Sequence, residues 1–169
     1  EEATSKIKEL LVIQPNFAKA YFLIATILYK QDKCIEAIEE AKKTLKFDPD
    51  YFKAFGVMGR CFEKLEKYED SILNYSKAIE QNIKDEEPTK SRLNYQIGAI
   101  YNKMSNQEAA FHYYQKAFET DAKNIDAIIG IGNIYKTKEN FIEAESDYKK
   151  ALDIEPNNKE ATENLAEVL

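Results

Sequence analysis

Residues 125–158 read IDAIIGIGNIYKTKENFIEAESDYKKALDIEPNN, with Gly132 at the eighth position of the stretch and Pro156 at the thirty-second. Those two residues belong to two series that run through the chain. Gly98 lies 34 residues before Gly132, and Gly59 lies 39 before Gly98. Pro15 and Pro49 are again 34 apart, whereas Pro49 to Pro156 spans three such periods plus five residues. Both series agree on one repeat length with a five-residue insertion between Gly59 and Gly98. A fixed period of this size marks a stacked array of like supersecondary units, in which each unit buries its apolar face against its neighbours.

At this period the full units are 18–51, 52–85, 91–124 and 125–158, with 86–90 as the insertion. Residues 1–17 match the second half of a preceding unit, with Ala3, Ile7, Leu10 and Leu11 at its packing phases, and 159–169 the first helix of a further unit or a capping helix. The first eleven and the last fifteen positions of each unit carry apolar residues at i, i+3, i+4 and i+7, the spacing of an amphipathic helix. Each unit is therefore read as a helical hairpin, and the chain as all-α. Small residues recur at position eight (Ala25, Gly59, Gly98, Gly132), position twenty (Ala37, Ser71, Ala110, Ala144) and position twenty-seven (Thr44, Ala78, Ala117, Ala151). Glycine inside a helix costs about 1 kcal/mol relative to alanine, so its recurrence calls for close approach of a neighbouring helix. Large residues fill the space between, notably Tyr75, Tyr114 and Tyr148 at position twenty-four, where the first unit has Ala41. Pro49 and Pro156 end the second helices, because proline has no amide to donate. Pro88 in the insertion suits the first turn of the helix that follows.

These residues resemble the tetratricopeptide repeat family over nearly the whole chain. Asn94, Ile83, Ala122 and Ala41 depart locally from its pattern of aromatic, proline and tyrosine. The resemblance implies a right-handed superhelical solenoid of stacked antiparallel helix pairs and a non-catalytic scaffold or adaptor that binds other proteins along an inner, concave face. Alternatives are a substrate-recruiting or regulatory repeat domain of a larger enzyme, and an array that self-associates through end residues such as Leu165, Val168 and Leu169.

In such a stack, positions two, five, six, nine, twelve and thirteen of the first helices face inward. Here they include Lys19, Phe22, Leu23, Tyr29, Lys53, Val57, Arg60, Lys64, Arg92, Tyr95, Gln96, Lys103, Ile129, Gly130, Asn133 and Lys136. Across all four units these positions hold eight basic and two acidic residues, although the chain carries a net charge of −6 and a pI near 5.0. A basic inner surface on an acidic chain points to an acidic or amphipathic, partly apolar protein segment as partner. Lysines near the hairpin turns also answer to helix C-terminal carbonyls, which covers Lys30, Lys64 and Lys103 but not Lys53, Arg60 or Arg92. The family's lysine and asparagine clamp for chaperone C-termini is not matched, since Phe22, Thr26, Val57 and Gln96 stand in its places. Its asparagine ladder is replaced by Leu23, Val57, Gln96 and Gly130.

The acidic balance argues against nucleic acid, and no apolar run is long enough for membrane insertion. The lone His112 points to the outer surface, and Gly130-Ile131-Gly132 lies inside a helix without the third glycine of a dinucleotide fingerprint. No catalytic residue, cofactor or metal site is expected. Cys34 and Cys61 fall at different phases, so no disulfide framework is read, and a reducing intracellular, cytoplasmic setting is the expectation.

Overall fold

The computed structural model describes residues 2–82 and 87–169. Among them are ten helices and no strand, distributed over two compact units, residues 1–84 and 85–169. The first unit holds α1 (Glu2–Ile13), α2 (Ala18–Lys30), α3 (Cys34–Phe47), α4 (Phe52–Lys64) and α5 (Tyr68–Glu80). The second holds α6 (Glu87–Lys103), α7 (Gln107–Thr120), α8 (Ile125–Thr137), α9 (Phe141–Ile154) and α10 (Lys159–Val168). Within each unit consecutive helices pack on one another, and alternate helices α2 and α4, or α6, α8 and α10, also touch. Connections of three or four residues force such neighbours antiparallel. Of the insertion, Glu86 lies outside the described residues; Glu87 to Lys90 form the first turn of α6, which runs 17 residues where α2, α4 and α8 run 13.

The glycine at position eight makes room for a ring. A methyl group built on Gly59 would lie 2.5 Å from Tyr75 Cδ1, one on Gly98 2.6 Å from Tyr114 Cδ1, and one on Gly132 2.8 Å from Tyr148 Cε1. Opposite a tyrosine, position eight therefore has no room for a methyl group. In the first repeat, 18–51, Ala41 takes the tyrosine's place, and position eight is accordingly Ala25, both fully buried. Position twenty exploits the same closeness: Ser71 Oγ donates to Gly59 O across the helix pair at 2.7 Å.

A feature the sequence concealed is the turn inside each hairpin. Asp32, Glu66, Ser105 and Glu139 all adopt φ near +60°, a left-handed conformation usually left to glycine. The hydrogen bonds are those of a Schellman motif: Lys33 N donates to Leu28 O at 3.0 Å and Asp32 N to Tyr29 O at 3.1 Å, with the equivalent bonds at Lys67, Asn106 and Asn140. The turns between hairpins follow another rule. Asp48 and Glu155, the residues before Pro49 and Pro156, are extended at φ −142° and −130°, as the proline ring demands of its predecessor. Asp121 keeps this geometry at φ −145° without a proline, its carboxylate accepting from Lys123 N at 3.0 Å.

Cys34 and Cys61, which the phases did not pair, are both buried free thiols in the apolar cluster of the first unit. Burial, with Cys34 beside it, pushes the Cys61 thiol up to about 12. His112 is exposed. No helix among the described residues is long and apolar enough to cross a membrane.

Candidate functional site

In the first unit, α2 and α4 lie side by side and present the expected inner-face residues. Lys19 and Leu23 are exposed on α2, while Phe22 and Tyr29 are half-buried and rest on the apolar cluster beneath. The Phe22 ring sits 4.9 Å from that of Tyr51. From α4, the Arg60 guanidinium lies 5.0 Å and Lys64 Nζ 4.8 Å from the centroid of the Tyr29 ring, so the ring's negative face receives two cations. The two are not equivalent. Lys64 is ion-paired with Asp32, placed beside it by the left-handed turn, and hydrogen bonding to that carboxylate raises the ammonium above its ordinary pKa. Among the described residues Arg60 makes no such pair, and its Nε is withdrawn from solvent with no hydrogen-bond acceptor. Glu63 accepts from the Tyr75 hydroxyl at 3.2 Å. Val57, expected to face inward, is instead fully buried.

In the second unit Arg92 and Lys103 are exposed on α6, with Tyr95 and Gln96 half-buried between them. Tyr95 stacks on Tyr114 at 5.6 Å. On α8, Asn133 belongs to a network: its Oδ1 accepts from Tyr148 OH at 2.8 Å and from Asn164 Nδ2 at 3.0 Å, and its Nδ2 donates to Glu160 Oε1 at 3.3 Å. Lys136 is bound by Asn164 Oδ1 at 2.6 Å and Glu167 Oε2 at 2.8 Å. Burial, then Glu167 and Glu160, push the Tyr148 hydroxyl up to about 12. Ile129 and Gly130 are buried rather than inward-facing. Gly130 backs the Tyr114 ring, which a methyl group there would approach to 2.8 Å.

Two sets of residues were missed by the sequence reading. Asp32 neutralises Lys64 through a turn conformation that no residue pattern announces. Glu160, Asn164 and Glu167 were legible, because they occupy positions two, six and nine of the partial unit that starts at 159. Their carboxylates and amide tie up Asn133 and Lys136, so with Lys64 also paired the basic surplus rests on Lys19, Lys30, Lys53, Arg60 and Arg92.

Arrays of helical hairpins with polar, aromatic-lined inner faces form a class of interaction proteins. Tetratricopeptide repeat models match residues 91–124 and 125–158. The chain belongs to the tetratricopeptide repeat family. Anaphase-promoting complex subunit 3 of Schizosaccharomyces pombe is 28% identical over 145 residues, covering 86% of this chain and 20% of that protein. The chain thus spans about a fifth of the length of that relative. Among solved structures, MamA superposes with a TM-score of 0.79 at 24% identity, covering 90% of this chain and 86% of that one. YrrB, a tetratricopeptide protein with an unusual peptide-binding site, superposes with a TM-score of 0.76 at 19% identity, covering 96% and 81%. At these identities the likeness shows the fold. Repeats of this kind serve as protein–protein interaction scaffolds.

Proposed function

We propose that the chain is a non-catalytic scaffold segment whose first unit holds an acidic, partly apolar stretch of another protein against α2 and α4. The observation that carries this reading is Arg60: a guanidinium seated on Tyr29, with Nε out of water and no acceptor. A buried donor left unsatisfied is costly, and a carboxylate laid along the groove would supply the missing acceptor. Lys19 and Lys53 flank the position, and half-buried Phe22 with exposed Leu23 offers apolar surface to the rest of the segment. Each exposed charge contact contributes only about 0.2–1 kcal/mol, so affinity rests on Arg60 and the aromatic area together and weakens with salt without vanishing. Arg92, Tyr95 and Gln96 of the second unit are a further patch of the same chemistry.

The test is a titration of labelled acidic peptides carrying one aromatic residue against the chain and its Lys53→Glu, Arg60→Glu double variant. Binding by the unchanged chain and its loss in the variant is the expected result. Equal binding by both removes this face from consideration. Arg60→Lys separates the guanidinium from mere charge, and it should retain steering but lose most of the affinity.

A further inference from the structure

The outer side of the second unit carries a slot that the inner-face chemistry does not explain. α7 and α9 flank it, and α8, packed against both, forms its floor. The cavity measures about 530 Å³. Ile131 in the floor is buried, and Phe118 and Tyr135 are half-buried, the Tyr135 ring held edge-on by Phe111 at 5.4 Å. On the rim stands Ile142, 81% exposed, an apolar side chain with nothing over it.

The rim is also acidic. Asp147 is answered by Lys150 at 2.8 Å, which cancels both charges. Glu119 from α7 and Glu143 from α9 line the same slot and have no ion-pair partner among the described residues. The repeat period offers an internal comparison. At the equivalent positions of the first unit the floor stays apolar as Leu45, Met58 and Phe62, but Lys46 stands where Glu119 is and Glu69 where Ile142 is. Core packing therefore does not require an exposed isoleucine between two carboxylates at these positions.

We propose that this slot binds a peptide segment of another protein in which one or two bulky apolar side chains are flanked by lysine or arginine. The apolar side chain covers Ile142 and enters over Ile131 and Tyr135, and the flanking cations meet Glu119 and Glu143. Charge complementarity selects this occupant: an acidic peptide or a nucleic acid would bring like charge to both carboxylates. The chain would then hold two partners of opposite charge, one on each unit.

The experiment uses the whole chain and three fluorescein-labelled dodecapeptides: one with a central Leu-Phe pair flanked by lysines, one with glutamates in place of the lysines, and one with serines in place of the Leu-Phe pair. Saturable anisotropy change with the first peptide alone is expected. Glu119→Lys with Glu143→Lys should weaken it about tenfold, as two exposed attractions become repulsions. The milder Glu119→Gln, Glu143→Gln pair should weaken it about threefold, and Lys53→Glu with Arg60→Glu should leave it unchanged. The proposal is overturned by no saturable binding to the unaltered chain, by equal binding of the serine peptide, by indifference to the rim variants, or by loss in the inner-face variant. Light scattering that reveals a dimer dissociated by Glu119→Lys would also overturn it, since a second copy would then fill the slot.

Discussion

Gly98→Ala and Gly56→Ala are the same chemical change in two helix interiors, and the structure assigns them opposite signs. In an unobstructed helix the replacement gains about 1 kcal/mol. At Gly56 nothing lies within 4 Å of the added methyl, so that gain should appear nearly whole. At Gly98 the methyl would fall 2.6 and 2.7 Å from Tyr114 Cδ1 and Cε1 and 3.2 Å from Ala110 O. The ring has no room to yield, because its other edge lies against the backbone of Gly130, whose own added methyl would sit 2.8 Å from Tyr114 Cε2. Overpacking a pinned ring costs up to about 3 kcal/mol, which outweighs the propensity gain and leaves a net loss of about 2 kcal/mol. For a chain of this size that is a fall in Tm of about 4–8 °C. The decisive measurement is a double-mutant cycle by urea denaturation. In a Tyr114→Ala background, which reproduces the Ala25 and Ala41 pairing of the first repeat, Gly98→Ala should become stabilising, giving a coupling of about 3 kcal/mol. A Gly98→Ala chain as stable as the unaltered one, with no coupling to position 114, would refute the ring-and-notch account of the stack.

Alkaline pH should unfold the protein cooperatively. Burial raises the hydroxyl pKa of Tyr75, Tyr114 and Tyr148 above 10.0, that of Tyr148 to about 12. Above pH 10 the unfolded chain releases protons that the folded chain keeps, so this contribution is whole below pH 10 and falls as pH rises towards 12, by roughly 1.4 kcal/mol per pH unit for each tyrosine. Urea midpoints read with absorbance at 295 nm check this, and ordinary titration of all 11 tyrosines with a constant midpoint would contradict it. Glu139→Gly relieves a left-handed residue at φ +60° and should be neutral to stabilising by about 1 kcal/mol once the freer unfolded chain is allowed for. A loss larger than that in thermal melts would mean that the Glu139 side chain contributes to the fold.

The helical hairpins were legible in the sequence because the helix period and the 34-residue period are both properties of the chain read along itself. A glycine or proline announces its position whatever lies across from it. The inner-face assignment was legible only in part. Lys19, Leu23 and Arg92 are exposed where the helical phase puts them, but Val57, Ile129 and Gly130 are buried, since positions five and six turn inward to the core wherever a neighbouring helix comes close enough to cover them.

From the residues alone came the repeat, its two-helix unit, the small positions and the all-α class, since each depends on spacing of at most one repeat. The tertiary structure alone decided that Tyr114 is seated between Gly98 and Gly130, that Asp32 cancels Lys64 while Arg60 keeps an empty donor, and that α10 occupies Asn133. The physical reason is range. Periodicity is a one-dimensional signal, whereas whether a cation is free or an edge is covered depends on distances of a few ångströms between helices far apart in sequence, which turn conformation and side-chain packing set together.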